Sequence, residues 1–220
     1  MPEALIAILP SLLAVTVFGI WWLSEDQWIR RALRRARRVD IRDAKAGELV
    51  KIIGKVAPAG AQLRAPLSGR ACVLYDVIVE ESSGRGGTWS PIIRETHAVD
   101  FLVEDATGRA LVRTQPIRVH SEKDRGYDSG FLNDATPELE AFLERHGKSS
   151  EGMVFNRQLR YREGTFEQGE LVAALGEAGW EIDPDPVGAG GAYRDAPRRL
   201  VVGAHEGTVI VSDEPKVTAG

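Results

Sequence analysis

The chain has a single cysteine, Cys72, and only four histidines in 220 residues. One cysteine excludes an intrachain disulfide and suits a reducing compartment such as the cytoplasm. His97, His120, His146 and His205 stand far apart, without the short spacings of a metal site, so neither a metal nor a cofactor is expected. Catalytic signatures are also missing. Leu67-Ser68-Gly69 is no G-x-S-x-G elbow, and the glycines of SSGRGGT neither match a phosphate-binding loop nor precede a helix signal. Cys72 lies in the most apolar stretch of the soluble part, where a thiol behaves as a small buried hydrophobe. No catalytic residue is assigned. Basic residues give no excess after residue 42: 43–220 hold 21 Lys and Arg against 28 Asp and Glu, a net of −7. That balance leaves no broad basic face for DNA or RNA.

Charge of either sign is absent from residues 4–23, which read ALIAILPSLLAVTVFGIWWL. Twenty helical residues span roughly 30 Å, the thickness of a bilayer's hydrocarbon core. Trp21 and Trp22 close the run where indoles favour the headgroup zone, and Pro10 is tolerable inside a membrane helix. A cleaved signal peptide fits less well: the residue before the run is Glu3, and WWLSEDQW is a poor cleavage site. The expectation is a single-pass anchor over 1–24. Arg30, Arg31, Arg34, Arg35, Arg37, Arg38 and Arg42 follow it closely and place the N-terminus outside the cell membrane and the following domain in the cytoplasm. Ile29, Ala32, Leu33, Ala36 and Val39 recur at helical spacing among those arginines, which predicts a basic amphipathic juxtamembrane helix over 25–44. It either only fixes topology or also touches anionic lipid; nucleic acid is a third reading, disfavoured because the cluster is pressed against the membrane and lacks interleaved aromatics.

The soluble part reads as mainly β and small-barrel-like, with one short helix. Strands are expected at Lys51–Pro58, Ala71–Glu80, Val99–Asp105, Ala110–Val119, Val154–Phe166, Gly169–Trp180, Arg198–His205 and Thr208–Asp213. Asp105, Thr107 and Gly108 supply turn chemistry for a hairpin. Thr136 and Pro137 open a helix that Gly147 closes. ESSGRGGTWSP (81–91) is expected to be a mobile loop bearing Trp89 as an exposed contact for a protein partner. An internal echo, GELVKIIGKVA against GELVAALGEAG, places Gly47 and Gly54 in the same frame as Gly169 and Gly176. It suggests two related β units, in one barrel or two.

GKVAPAGAQLRAPLSGRACVLYDVIVEE resembles the opening of the GIDE-type, or beside-a-membrane (BAM), domain through Gly54, Val56, Leu63, Ala65, Pro66, Leu67, Ser68, Gly69, Arg70, Cys72, Val73, Tyr75 and Glu80. FLVEDATGRALV with Asp105 and Gly108, LRYREGTFEQGELVAALGEA with Gly169 and Gly176, and LVVGAHEGTVIVSDEP resemble its later pieces in order, so the likeness covers about 45–215 and leaves a tail at 216–220. The family's animal members end in a RING finger that transfers ubiquitin. A RING needs about eight Cys and His ligands, which one cysteine and four histidines do not supply. The resemblance therefore implies a prokaryotic-type member without the ligase module. The expected function is a non-catalytic protein-interaction or regulatory module at the membrane surface. Its partner would be another protein or a second copy, with anionic lipid and a ligase-associated component as the other readings.

Overall fold

The computed structural model describes residues 27–82, 88–122, 125–129, 137–147, 159–184 and 197–219. The expected anchor, with Trp21 and Trp22, lies outside them, as do the middle of the 81–91 loop, the Thr136 cap and most of the Gly/Pro-rich 184–197 connector. The fold is mainly β, around a five-stranded barrel. Strands β1 (Leu49–Pro58), β6 (Phe101–Glu104) and β7 (Arg109–Val112) follow one another antiparallel. β7 then runs parallel to β12 (Arg198–Gly203), β12 pairs β11 (Leu171–Ile182), and β11 closes the barrel on β1. Taken in chain order the barrel strands lie 1-2-3-5-4, a Greek-key closure of which the oligonucleotide/oligosaccharide-binding barrel is a familiar case. Barrels of this kind host unrelated activities, so the topology assigns none.

The GELV echo explains how the barrel closes. β1 and β11 pair antiparallel with Ile52 opposite Ala174, its own counterpart in the echo, so the repeat is a local two-fold. The Gly47 N–H donates to Ala178 O and the Gly169 N–H to Val56 O, each at 2.8 Å, and both glycines hold a positive φ. A Cβ on Gly54 would collide with the Glu104 carbonyl, and one on Gly176 with the Gly203 carbonyl. Each glycine lets its strand bend close under the next neighbour at a barrel corner. The two units thus build one barrel. Its core holds Val50, Ile52, Val56, Phe101, Val103, Val112, Leu200 and Val202.

Several expected strands are shorter or interrupted. Ala71–Glu80 divides at Val73 into β3 (Ala71–Cys72) and β4 (Leu74–Ser82), because the Val73 N–H turns to Phe166 O and its carbonyl accepts from Val99. β3 pairs with β2 (Leu63–Arg64). Ala110–Val119 breaks after Val112, where the Thr114 N–H and hydroxyl donate to Asp100; β8 (Ile117–His120) then runs parallel to β13 (Val209–Ser212). The loop predicted over 81–91 belongs to a hairpin: Ser82 pairs with Trp89 at the start of β5 (Trp89–Ala98), a strand that mixed polar and apolar residues concealed.

β5, β4, β10 (Leu159–Phe166) and β9 (Arg125–Ser129) form a second sheet in that order. The predicted helix is α2 (Pro137–Arg145), packed on one face of this sheet through Leu139, Phe142 and Leu143 against Tyr75, Val77, Val79 and Tyr161. Two further boundaries differ from expectation. The basic helix, α1, runs over 27–35 and not to 44; a separate 3-10 turn follows at Ile41–Asp43. The expected tail contains α3 (Pro215–Thr218), whose Val217 is buried, so 216–219 belong to the fold.

Candidate functional site: the docked basic helix

α1 has the apolar spacing of a surface helix, and the protein itself covers that face. Ile29 and Leu33 are buried against Ile53, Ala173, Leu175, Ile210 and Val217, on the outer wall of the β1–β11 ladder. Two fully buried side chains of this kind contribute on the order of 2 kcal/mol each. Polar contacts on one flank fix the helix azimuth. The carboxylate of Glu214, buried before α3, lies 3.2 Å from Arg34 Nη2 and 3.4 Å from Arg30 Nε. The same Arg30 Nε donates to His120 Nε2 at 2.9 Å. Arg30 and Arg34 are nearly half exposed, so each pair is worth at most about 1 kcal/mol. The Arg118 guanidinium sits 5.1 Å from the Trp28 ring.

The chain between α1 and β1 is tied down as well. Arg38 bridges Lys51, and the Val39 N–H donates to Lys51 O at 2.9 Å. Burial, reinforced by Arg38, lowers the Lys51 pKa. Asp105 Oδ2 accepts the Ile41 N–H at 3.0 Å, Thr107 Oγ1 accepts that of Arg42, and Trp180 Nε1 donates to Ala44 O at 3.0 Å. Asp105 thereby shapes its own hairpin and also grips the segment behind α1. Gly108 sits against Ile41, where a Cβ would come within 3.2 Å of Cγ2.

The other residues singled out in the sequence join structural contacts. Ala65–Arg70 forms a closed turn in which the Ala65 N–H donates to Arg70 O and the Gly69 N–H to Ala65 O, both at 2.9 Å, with Gly69 at φ +68°. Pro66 lies within it. The Leu67 N–H reaches Glu163 Oε1 at 2.9 Å, and Arg70 pairs with Glu167, clamping the turn to β10. Cys72 is fully buried; burial first, then the Glu163 and Glu167 carboxylates, push its thiol up to about 11. That environment opposes a nucleophilic thiolate. The Tyr75 hydroxyl donates to Glu95 at 2.7 Å, and His146, directly after α2, meets the same carboxylate at 2.7 Å. Burial and this bond raise the Tyr75 pKa. Burial works to raise that of Glu95, but the bonds from Tyr75 and His146 outweigh it and hold the carboxyl low. A high-pKa phenol and a low-pKa carboxyl lock α2 to the sheet and supply neither nucleophile nor acid at neutral pH.

The opposite face of the second sheet was not legible in the sequence. Asp76 accepts Arg94 (3.0 and 3.2 Å) and Thr96 (2.7 Å), and Glu80 accepts Arg160 and Arg162, each at 2.9 Å. Both acids are buried on the central strand, with their arginines on neighbouring strands. Four residues along one strand put the two acids about 13 Å apart, farther than the pair of a hydrolytic site. Trp89, expected to be exposed, is half-buried, with the Arg160 guanidinium 4.4 Å above its ring. A shallow hollow of about 370 Å³ near Asp100, Arg113 and Thr114 has its charges spent on one another. Among the described residues no group of His, Cys, Asp or Glu is placed to hold a metal ion, and no helix is long and apolar enough to cross a membrane.

Comparison with protein-family models, with curated proteins and with solved structures gave no match.

Proposed function

We propose that the chain is a single-pass membrane protein whose cytoplasmic β domain is a non-catalytic interaction module of the beside-a-membrane type. One observation carries this reading. The uncharged run over 4–23 ends four residues before a helix that is locked to the barrel by Ile29 and Leu33, by Glu214, and by the Asp105 and Trp180 contacts behind it. A domain that only needed tethering would tolerate a loose linker; one whose junction is docked is held in a set orientation at the bilayer. In that pose β5, at the edge of its sheet among the described residues, offers its backbone to an extended partner segment. His97, well exposed on that strand, marks the surface.

The test is a photo-crosslinking side chain at His97 in the full-length protein within its membrane. Reproducible crosslinks to one other protein, or to a second copy, support the module. Crosslinks to lipid alone contradict it. Trp89→Ala, which a loop contact would have left stable, is now expected to lose about 0.5–1 kcal/mol through the Arg160 stack, as a denaturant melt would show.

A further inference from the structure

The seven arginines after the apolar run are not equivalent. Arg30 and Arg34 are drawn onto Glu214, and Arg38 lies 3.9 Å from Asp40. Arg31 and Arg35 fall at 200° and 240° around the helix from Ile29, on the side turned away from the barrel, by the helical step of about 100° per residue. Arg37 follows just beyond the helix. All three are exposed, and among the described residues none makes an ion pair. A protein that fixes α1 so firmly, and neutralises only its flank, leaves Arg31 and Arg35 aimed outward from a rigid support, with the exposed Arg37 following close behind. The rest of the domain carries a net of −7 over 43–220 and is repelled by an anionic surface.

Resting on the anchored reading above, we infer that Arg31, Arg35 and Arg37 form a docking face for the phosphate headgroups of an anionic leaflet and set the domain's tilt against it. Arg31 stands eight residues after Leu23, at most about 28 Å of extended chain, so the anchor keeps this face near the membrane surface. Three guanidinium groups there favour the leaflet-facing pose on the order of a hundredfold. A helix amphipathic in the usual interfacial way would sink its apolar side into the headgroups; here that side is buried in protein, so the contact is electrostatic and reversible.

The experiment compares full-length protein in phosphatidylcholine vesicles with vesicles containing about 30 mole per cent phosphatidylserine, using phenylglyoxal modification of each arginine read by mass spectrometry. Expected is an approximately fivefold or greater protection of Arg31, Arg35 and Arg37 in the anionic vesicles alone, lost at about 1 M salt. Arg30 and Arg34 should react alike in both. Equal modification at all sites, with the chain floating in both vesicle types, overturns the headgroup face and leaves anchoring intact. Failure to float with either overturns the anchored reading and this inference with it. Protection of the neutral-vesicle sample by inorganic phosphate overturns the lipid assignment in favour of a small-anion site.

Discussion

Cys72 and Asp105 carry opposite electrostatic signatures, and each is open to a direct check. A thiol pushed up to about 11 is ionised in roughly one molecule in a thousand at pH 8. Native protein at that pH should resist iodoacetamide for hours and react at once in denaturant; rapid native labelling would contradict the buried, inert assignment. At Asp105, burial works to raise the pKa, but hydrogen bonds from Thr107, Ile41 and Gly108 outweigh it and hold the carboxyl low. A depressed folded-state pKa gives stability that is present above the unfolded value of about 4 and is lost as the pH falls through the folded one. Asp105→Asn should therefore cost about 1–2 kcal/mol at pH 7, and its gap to the parent chain should narrow progressively in urea melts taken below about pH 4. An unchanged gap would show that the charge is not what holds the 41–42 turn. Both residues stood out in the sequence through a motif, as did the turn partners Thr107 and Gly108, but their remote partners did not. Glu163 and Ile41 are 91 and 64 residues away, beyond the reach of any local pattern.

Elements that repeat or punctuate were legible; elements that depend on remote partners were not. The GELV echo surfaced because Gly54 and Gly176 answer the same local problem, a strand passing beneath a neighbouring carbonyl. Gly54→Ala and Gly176→Ala should accordingly destabilise to similar extents, about 1–3 kcal/mol or more each, measured by denaturant unfolding. A large effect at one and none at the other would break the two-fold account. The Asp105 hairpin was legible from its turn residues, and α2 from Pro137 at its start and Gly147 after its end. β5 escaped because Arg94, Glu95 and Thr96 interrupt its apolar residues to bond with Asp76 and Tyr75, while much of the strand is half-exposed at an edge. The end of α1 was overrun because Val39 continues the apolar period although it packs against the barrel core and not with Ile29 and Leu33. Leu33→Ala should cost about 2–5 kcal/mol, and the same variant should raise protease cleavage after the arginines of α1 if the barrel wall is what holds that helix.

For the molecule as a whole, the barrel wall with β8, β13 and α3 beside it holds α1 in place and makes the chain stiff from residue 27 onward. Mainly β architecture followed from the sequence, but its closure into a single barrel did not, since that depends on β7 meeting β12 in parallel across 90 residues. An orientation set at the bilayer requires that the apolar run beside that stiff junction be an anchor. The deciding measurement is alkaline extraction of membranes holding the full-length protein or a variant lacking residues 4–23. The account predicts that the full chain stays in the membrane pellet while the variant is released, folded, into the supernatant. Release of both would contradict it.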